Sequence, residues 1–167
     1  MPRFAEVRHS EWIAAAPAVV RAQFADLDHH IAAGVHPKLR FTVLARRPPG
    51  GARFEQRVRL LGVPVRDVFE RSVDPEGGIV DTAVAGFNRG GSVVFAFAAE
   101  PRDGRDGTRV DIRVRLPLPP LVGALLRPLL EAQVRREVRA AALEDKFDIE
   151  QRGYPAARSA TGLRLAA

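Results

Sequence analysis

Six short stretches of the chain alternate apolar and polar residues with a period of two, and this pattern constrains the fold most. They lie at 39–43, 54–60, 65–73, 79–85, 93–99 and 108–116. The connections between them are a few residues long and rich in glycine, proline and aspartate, as at 48–51 and 103–107. Alternation of this kind, joined by short turns, predicts an antiparallel meander with one dry face and one wet face.

The chain before the meander predicts one strand and one helix. Residues 3–13 mix apolar and charged side chains in an extended pattern. Pro17 suits the first turn of a helix, and apolar residues then recur at helical spacing, so a helix is expected over 17–28. Gly34 and Pro37 interrupt the next stretch, which predicts a loop or a broken second helix.

After the meander, the sequence predicts one long helix. Apolar residues recur at helical spacing from Leu121 to Phe147. Pro128 is expected to kink this helix or to mark a restart, because proline lacks the N–H that a helix interior needs. Gly153 and Pro155 are expected to end it.

The length and composition fit a single domain. A chain of 167 residues with 46% hydrophobic residues can bury one core, which we place at 1–155, followed by a tail at 156–167. Cysteine is absent, so disulfides, thiolate metal sites and cysteine nucleophiles are excluded. No apolar run is long enough for a membrane span, and the first residues do not resemble a signal peptide. A cytoplasmic protein is therefore expected, and a homodimer is left open.

The positive charge of the chain does not by itself indicate nucleic acid. The net charge is +6, and almost all of the cations are arginines. Many of them alternate with apolar residues, as Arg57 and Arg59 do with Val58, so we expect them on the wet faces of strands. One tyrosine and one tryptophan are too few to stack successive bases. We therefore expect no nucleic-acid partner.

The order of these elements resembles the START-like (SRPBCC) helix-grip superfamily, and the segment 13–20 has a similar sequence texture. The superfamily includes polyketide cyclases, aromatases and lipid-transfer domains. The resemblance implies an α+β fold in which a curved antiparallel sheet of about seven strands wraps a long C-terminal helix. It also implies an internal cavity for an apolar ligand of polyketide-like or aromatic character.

A narrower resemblance concerns the histidines. Asp26, His29 or His30, and His36 resemble the iron-binding segment of Rieske oxygenase catalytic domains, where a carboxylate on the C-terminal helix completes the site. That resemblance implies His30, His36 and Asp145 as metal ligands, with His29 as the alternative to His30. Independently of any family, two imidazoles and one carboxylate suit Fe(II) or Zn²⁺ and leave coordination positions open. The spacing departs from the family pattern, and a Rieske cluster cannot form without cysteine.

The histidines and the carboxylates of this candidate site each have a simpler explanation than metal binding. Histidines near a helix end often bond to free backbone carbonyls. Glu144, Asp145 and Asp148 share one helix face, and such faces are usually solvated and paired with nearby cations. The metal site therefore depends on the histidines and the carboxylates lying together.

A reaction without a metal has candidates of its own. Asp67 shares a strand face with Val65 and Phe69, so it is expected to be a buried carboxylate that could act as a general base. Asn88 and Arg89 lie in a turn flanked by glycines, where they could bond to a ligand carbonyl or simply form the hairpin.

These observations predict three alternative functions. The first is a protein that encloses an apolar small molecule and either binds it or catalyses its cyclisation or dehydration. The second is a mononuclear non-haem metalloenzyme of the oxygenase or lyase type, with no cofactor other than Fe(II) or Zn²⁺. The third is a partner-binding module, which would have an exposed apolar patch in place of a cavity.

Overall fold

The computed structural model describes residues 4–118 and 123–155. Within these residues the elements are β1 (Phe4–Ile13), α1 (Pro17–Ala25), α2 (Leu27–Ala33), β2 (Arg40–Arg47), β3 (Gly51–Leu60), β4 (Val63–Val73), β5 (Ile79–Gly86), β6 (Ser92–Ala99), β7 (Thr108–Pro117) and α3 (Gly123–Glu150). The predicted α+β class and order of elements are confirmed. Leu121 and the tail at 156–167 lie outside the described residues, so the domain boundary after 155 stays a prediction.

The strands form one antiparallel sheet in the order β1-β7-β6-β5-β4-β3-β2. β1 and β2 are therefore the two edges, and the segment with α1 and α2 crosses the width of the sheet to connect them. The register shifts between Val43 and Ala45 in β2 and between Val68 and Phe69 in β4. Bulges of this kind bend a strand and increase its twist. The predicted curved sheet of about seven strands is confirmed.

The two faces of the sheet follow the alternation in the sequence. In β7, Val110, Ile112 and Val114 are buried, whereas Arg113 and Arg115 are exposed. One large cluster of buried residues joins the sheet to the helices: Val7, Ile13, Val20, Phe24, Ile79, Val110, Ile112, Val114, Val134, Ala142 and Ile149. Removal of this apolar surface from water is the main force that holds α3 on the concave face.

The helix expected over 17–28 is in fact two helices. Asp26 has a non-helical backbone and ends α1, and its side chain accepts a hydrogen bond from the N–H of His29 at the start of α2. A single helix is therefore wrong, because an aspartate that satisfies a free N–H begins a new helix at this point. Gly34 ends α2 in the left-handed conformation, with φ of 59°.

α3 continues through Pro128, so the predicted restart of the helix at this proline is wrong. Because Pro128 lies in the second turn, it removes only one backbone hydrogen bond near the helix end. Gly153, with φ of 74°, and Pro155 follow the end of α3, as predicted. α3 packs against β1 and α1. Among the helices in the described ranges, none is both long and apolar enough to cross a bilayer.

Candidate functional site

A cavity of about 220 Å³ lies between the concave face of the sheet and α3. Its wall includes five phenylalanine rings: Phe24, Phe41, Phe54, Phe69 and Phe95. Neighbouring rings pack on one another, with centroids 5.6 Å apart for Phe24 and Phe95 and 5.5 Å apart for Phe54 and Phe69. Aromatic contacts at these distances are favourable, so most of the wall is apolar and rigid.

The cavity stays open because α3 presents small side chains to it. Ala140, Ala141 and Ala142 line it, together with Val134 and Val138. A strongly bent sheet leaves space that alanines on the covering helix do not fill. The hollow predicted between helix and sheet is present.

One end of the cavity is polar and contains His30, His36 and Asp145. Nε2 of His30 lies 3.0 Å from Oδ1 of Asp145, and Nε2 of His36 lies 3.3 Å from the same oxygen. The opposite ring nitrogens are also bonded: Nδ1 of His30 to the carbonyl of Asp26 at 2.7 Å, and Nδ1 of His36 to Glu144 at 2.9 Å. The two rings stack, with centroids 5.1 Å apart. Both imidazoles are thus fixed in orientation.

The charges in this cluster stabilise one another. Burial alone would lower the pKa of His36, but the carboxylates of Asp145 and Glu144 outweigh burial and raise that pKa to about 9. Burial alone would raise the pKa of Asp145, but His36 and His30 hold it well below its usual range. At neutral pH the pair is therefore an imidazolium ion facing a carboxylate ion.

His29 lies beside this cluster but has a different partner. Its Nε2 atom lies 2.7 Å from Oδ2 of Asp148. The side-chain amide of Gln23, which is fully buried, donates to Asp145 and to Asp148 at 3.1 Å each. The structure therefore places His29 with Asp148, whereas it brings the other two predicted histidines together at Asp145.

The three predicted ligands lie almost close enough together to share one ion. Their ligand atoms all lie within 4.8 Å of one another. Bonds of about 2.1 Å require ligand atoms no farther apart than about 4.2 Å, so a shift of well under 1 Å would complete the set. The cluster is equally complete without a metal, because every ring nitrogen of His30 and His36 faces an oxygen atom.

A buried ion pair forms another polar point on the cavity wall. Arg71 donates to both carboxylate oxygens of Asp81 at 2.7 Å and to the carbonyl of Phe24 at 3.0 Å. Its guanidinium also lies 5.3 Å from the centroid of the Phe54 ring. A paired and fully bonded arginine can remain buried in an otherwise apolar wall.

Comparison with known families assigns this fold. The family described as polyketide cyclase/dehydrase and lipid transport matches residues 5–145. The chain belongs to this family. The match covers every element from β1 to most of α3, and therefore includes both the cavity and its polar end.

Solved structures with the same fold include proteins that are only distantly similar to this chain in sequence. The Thermus thermophilus protein TTHA0849 has a TM-score of 0.72 and 22% identity, covering 84% of this chain and 94% of its own. A START superfamily protein of Mycobacterium smegmatis has a TM-score of 0.66 and 18% identity, covering 83% and 94%. The Zhui aromatase/cyclase from a Streptomyces species has a TM-score of 0.68 and 18% identity, covering 90% and 99%. A search among curated proteins gives no significant match. The predicted START-like superfamily is confirmed, and the narrower resemblance to Rieske oxygenases stays a prediction.

The three residues predicted to act without a metal occupy different positions in this polyketide cyclase/dehydrase family member. Asp67 is fully buried and accepts hydrogen bonds from the backbone and side-chain amides of Asn88 at 2.6 and 2.7 Å. Asn88 lines the cavity, whereas Asp67 lies behind it. Arg89 is exposed in the turn after β5. Their catalytic roles stay predictions.

Sequence reasoning missed Gln23, Arg71 and Asp81 as parts of the site. Each is a polar residue at a position where the local pattern predicts an inward-facing apolar side chain. In β4, for example, Arg71 shares the buried face with Val65 and Phe69. The available signal was a polar residue on an otherwise apolar face. Such a residue is buried only when other polar groups form hydrogen bonds with it, so its presence indicates a polar cluster in the core.

Proposed function

We propose that this protein binds an apolar, ring-containing or polyketide-like molecule in its cavity and promotes the cyclisation or dehydration of that molecule. The observation that carries the proposal is an aromatic cavity with one charged end. A dry cavity of roughly 150 Å³ already takes up benzene, so the present cavity has room for a fused pair of rings. Family membership and the fold shared with an aromatase/cyclase support the same conclusion.

The polar end of the cavity offers an acid and a base side by side. Cyclisation of this kind needs a base to remove a proton next to a carbonyl, after which the resulting carbanion forms a bond to a second carbonyl carbon. The oxygen of that carbonyl takes a proton and becomes a hydroxyl group. In the dehydration a base then removes the second proton from the carbon that attacked, a carbon–carbon double bond forms, and the hydroxyl group takes a proton and leaves as water. Both Glu144 and His36 line the cavity, so we assign the carboxylate of Glu144 as the base and the imidazolium of His36 as the acid.

Asn88 supplies a second polar contact for the ligand. Its side chain lines the cavity, and Asp67 holds the amide group in place through two hydrogen bonds. We assign Asn88 to a ligand carbonyl and Asp67 as the residue that positions it. Arg89, which is exposed, has no part in this arrangement.

Ligand binding is tested by filling the cavity from α3. Ala141→Phe adds a ring where α3 faces the cavity, and Ala132→Phe adds the same ring on an exposed position of that helix. Ligand affinity is measured by the fluorescence of N-phenylnaphthylamine. We expect the affinity for this dye to fall about tenfold or more in Ala141→Phe and to stay unchanged in Ala132→Phe. Equal affinities in both variants, or no binding by the natural chain, would contradict the proposal.

Catalysis is tested separately with a short poly-β-keto thioester as substrate. Loss of one water is followed by mass spectrometry in the natural chain, in Glu144→Gln and in His36→Gln. We expect both variants to keep binding N-phenylnaphthylamine within about twofold and to lose turnover about 100-fold or more. If turnover survives in both variants, the assigned acid and base are wrong, and if the natural chain has none, the protein is a carrier.

A mononuclear metal site is the second candidate function, and it rests on the close approach of the ligand atoms of His30, His36 and Asp145. The donor set fits Fe(II) or Zn²⁺, because both Nε2 atoms point at one carboxylate oxygen while hydrogen bonds hold both Nδ1 atoms. A bound ion would supply Lewis acidity at the polar end of the cavity. His30, His36 and Asp145 would hold the ion. Asp26 and Glu144 would keep the two imidazole rings in the orientation that binding requires.

Metal content decides this second candidate. Protein purified without a histidine tag is incubated with Fe(II) or Zn²⁺, dialysed, and measured by elemental analysis and thermal unfolding. A metal site predicts about one ion per chain and a higher melting temperature, both lost in His36→Ala and kept in His9→Ala. Less than about one tenth of an ion per chain after loading would exclude it.

A further inference from the structure

A groove bordered by cations lies beside the end of β3 at the edge of the sheet. Its borders include Lys38, Arg40, Arg57, Arg59 and Arg66, with Glu137 on the opposite side. The groove forms because the ladder between β2 and β3 starts at the pair Arg40 and Arg57, whereas β3 continues to Leu60. On one side of this last part of β3, none of the described strands lies beside it.

The arginines of this groove are arranged at a cost to stability. Arg40 lies directly opposite Arg57, which in turn lies directly opposite Arg66, so three like charges form one row on one face of the sheet. Like charges directly opposite each other destabilise a sheet. Glu55 offsets part of this repulsion, since it accepts hydrogen bonds from Arg57 and Arg66.

Carboxylates of the described residues do not neutralise the remaining positive charge. In the described part of the chain, neither Arg40 nor Arg59 forms an ion pair with a carboxylate, and the guanidinium of Arg59 donates to the carbonyl of Gly62. Five cations thus face Glu55 and Glu137, which leaves a net charge of +3. Guanidinium groups in such an array are well suited to bind a carboxylate or a phosphate.

The groove and the cavity share part of their walls. Lys38, Val58, Arg59 and Glu137 border both of them. At this shared boundary Nζ of Lys38 lies 3.7 Å from the carboxylate of Glu137, so one weak ion pair connects the loop before β2 with α3. A molecule in the cavity is therefore separated from the row of arginines by side chains that are exposed, as Lys38 and Arg59 are, or half-buried, as Val58 and Glu137 are.

We infer that the ligand is an amphiphilic anion, with its apolar rings in the cavity and a carboxylate or phosphate group in the groove, bound by Lys38, Arg40 and Arg59. This inference rests on the proposed function and adds the chemical class of the ligand. The anion competes with Glu137 for Lys38. Bound ligand therefore replaces the weak ion pair at the boundary with contacts of its own.

Two dyes with the same ring system test the inference. Anilinonaphthalene sulfonate carries a negative charge and N-phenylnaphthylamine does not. We expect the anionic dye to bind about tenfold more tightly at low salt, with this advantage reduced by added salt. Arg40→Gln, at a residue that borders the groove but not the cavity, is expected to weaken the anionic dye about fivefold and to leave the neutral dye unchanged, whereas Glu137→Gln is expected to strengthen the anionic dye. Arg113→Gln, on the outer face of β7, is the control for net charge and is expected to change neither dye.

The source of the negative charge is resolved by competition. Naphthoate, naphthyl phosphate and uncharged naphthol are compared as competitors of the neutral dye, and the better of the two anions identifies a carboxylate or a phosphate ligand. Equal affinity for both dyes, or an equal loss in Arg40→Gln and Arg113→Gln, overturns the inference while leaving the proposed function intact. Failure of the neutral dye to bind at all overturns the proposed function first.

Discussion

Nε2 of His36 lies 3.3 Å from Oδ1 of Asp145, which links the loop after α2 to the C-terminal half of α3 across the polar end of the cavity. Both groups are buried and oppositely charged. The pair therefore holds α3 in place over the cavity and also supplies the charged end of the cavity. The same contact therefore contributes both to the stability of the fold and to the proposed chemistry.

Protein stability is expected to depend on pH through this pair. The pKa of His36 is about 9 in the folded chain against 6.5 for the free group, so its contribution is complete below about pH 6.5 and is lost as pH rises through 9. The pKa of Asp145 is lowered from 3.8, so its contribution is present above that pH and lost on acidification. The melting temperature of metal-free protein should thus be highest between the acidic pH at which Asp145 becomes protonated and the alkaline pH at which His36 loses its proton. His36→Gln should flatten the alkaline side of the profile, and an unchanged alkaline side would contradict the assignment.

Replacement of Gln23 is expected to destabilise the fold by about 2 kcal/mol, because its amide bonds two buried carboxylates. The comparison is between Gln23→Met, which has similar volume, and Gln151→Met on the exposed surface after α3. Gln23→Glu should be worse than Gln23→Met at neutral pH, since it adds a third carboxylate to Asp145 and Asp148. Urea unfolding measures all three. Equal stability of the two Gln23 variants would mean that charge is unimportant there.

Loss of one member of the buried ion pair should cost more than loss of both. Asp81→Leu leaves the guanidinium of Arg71 buried without its carboxylate and is expected to cost about 3–5 kcal/mol. The double variant Arg71→Met with Asp81→Leu removes both charges and should recover much of this loss. A double-mutant cycle by urea unfolding gives the coupling energy. Additive effects would show that the two side chains do not stabilise each other.

Gly86 is required by close packing as well as by its backbone conformation. Its φ is 104°, and a Cβ atom there would lie 2.2 Å from the carbonyl oxygen of Arg66. Gly90 has a φ of 87° but open space around it, so Gly90→Ala carries the conformational cost alone. We expect Gly86→Ala to lower stability by about 2 kcal/mol more than Gly90→Ala does. Equal melting temperatures would mean that the backbone relaxes around the added methyl group.

Much of the fold could be predicted because its determinants are local. The alternation around Val110 and Ile112 identifies a strand without knowledge of its partner, and short turns between strands imply an antiparallel order. The break at Asp26 was missed because an aspartate inside an apolar helical pattern reads as a solvent-facing residue. Only the hydrogen bond that the N–H of His29 donates to the Asp26 side chain shows that a new helix starts at Asp26.

The site was predictable only in part, since its contacts join distant segments. The grouping of His30 and His36 in sequence drew attention to them, and a carboxylate on the last helix was a natural partner. Pattern alone could not pair His29 with Asp148 instead of Asp145, because this depends on how α2 is rotated against α3. Nor could it reveal that Lys38 and Arg59 border the same opening, since β2 and β3 acquire their offset only in the folded sheet.

The position of β1 at one edge of the sheet has a consequence for how the chain folds. Among the described strands it pairs with β7 alone, with Phe4 opposite Pro117 and Ile13 opposite Thr108, so the strand made before α1 waits for the strand made just before α3. The hairpins from β2 to β6 form between sequence neighbours and need no such wait. We expect closure of the long loop between β1 and β7, followed by docking of α3, to be the slow and entropically expensive step. A nascent chain that stops before α3 has a sheet but nothing to enclose a ligand, so the cavity forms only after α3 has been synthesised.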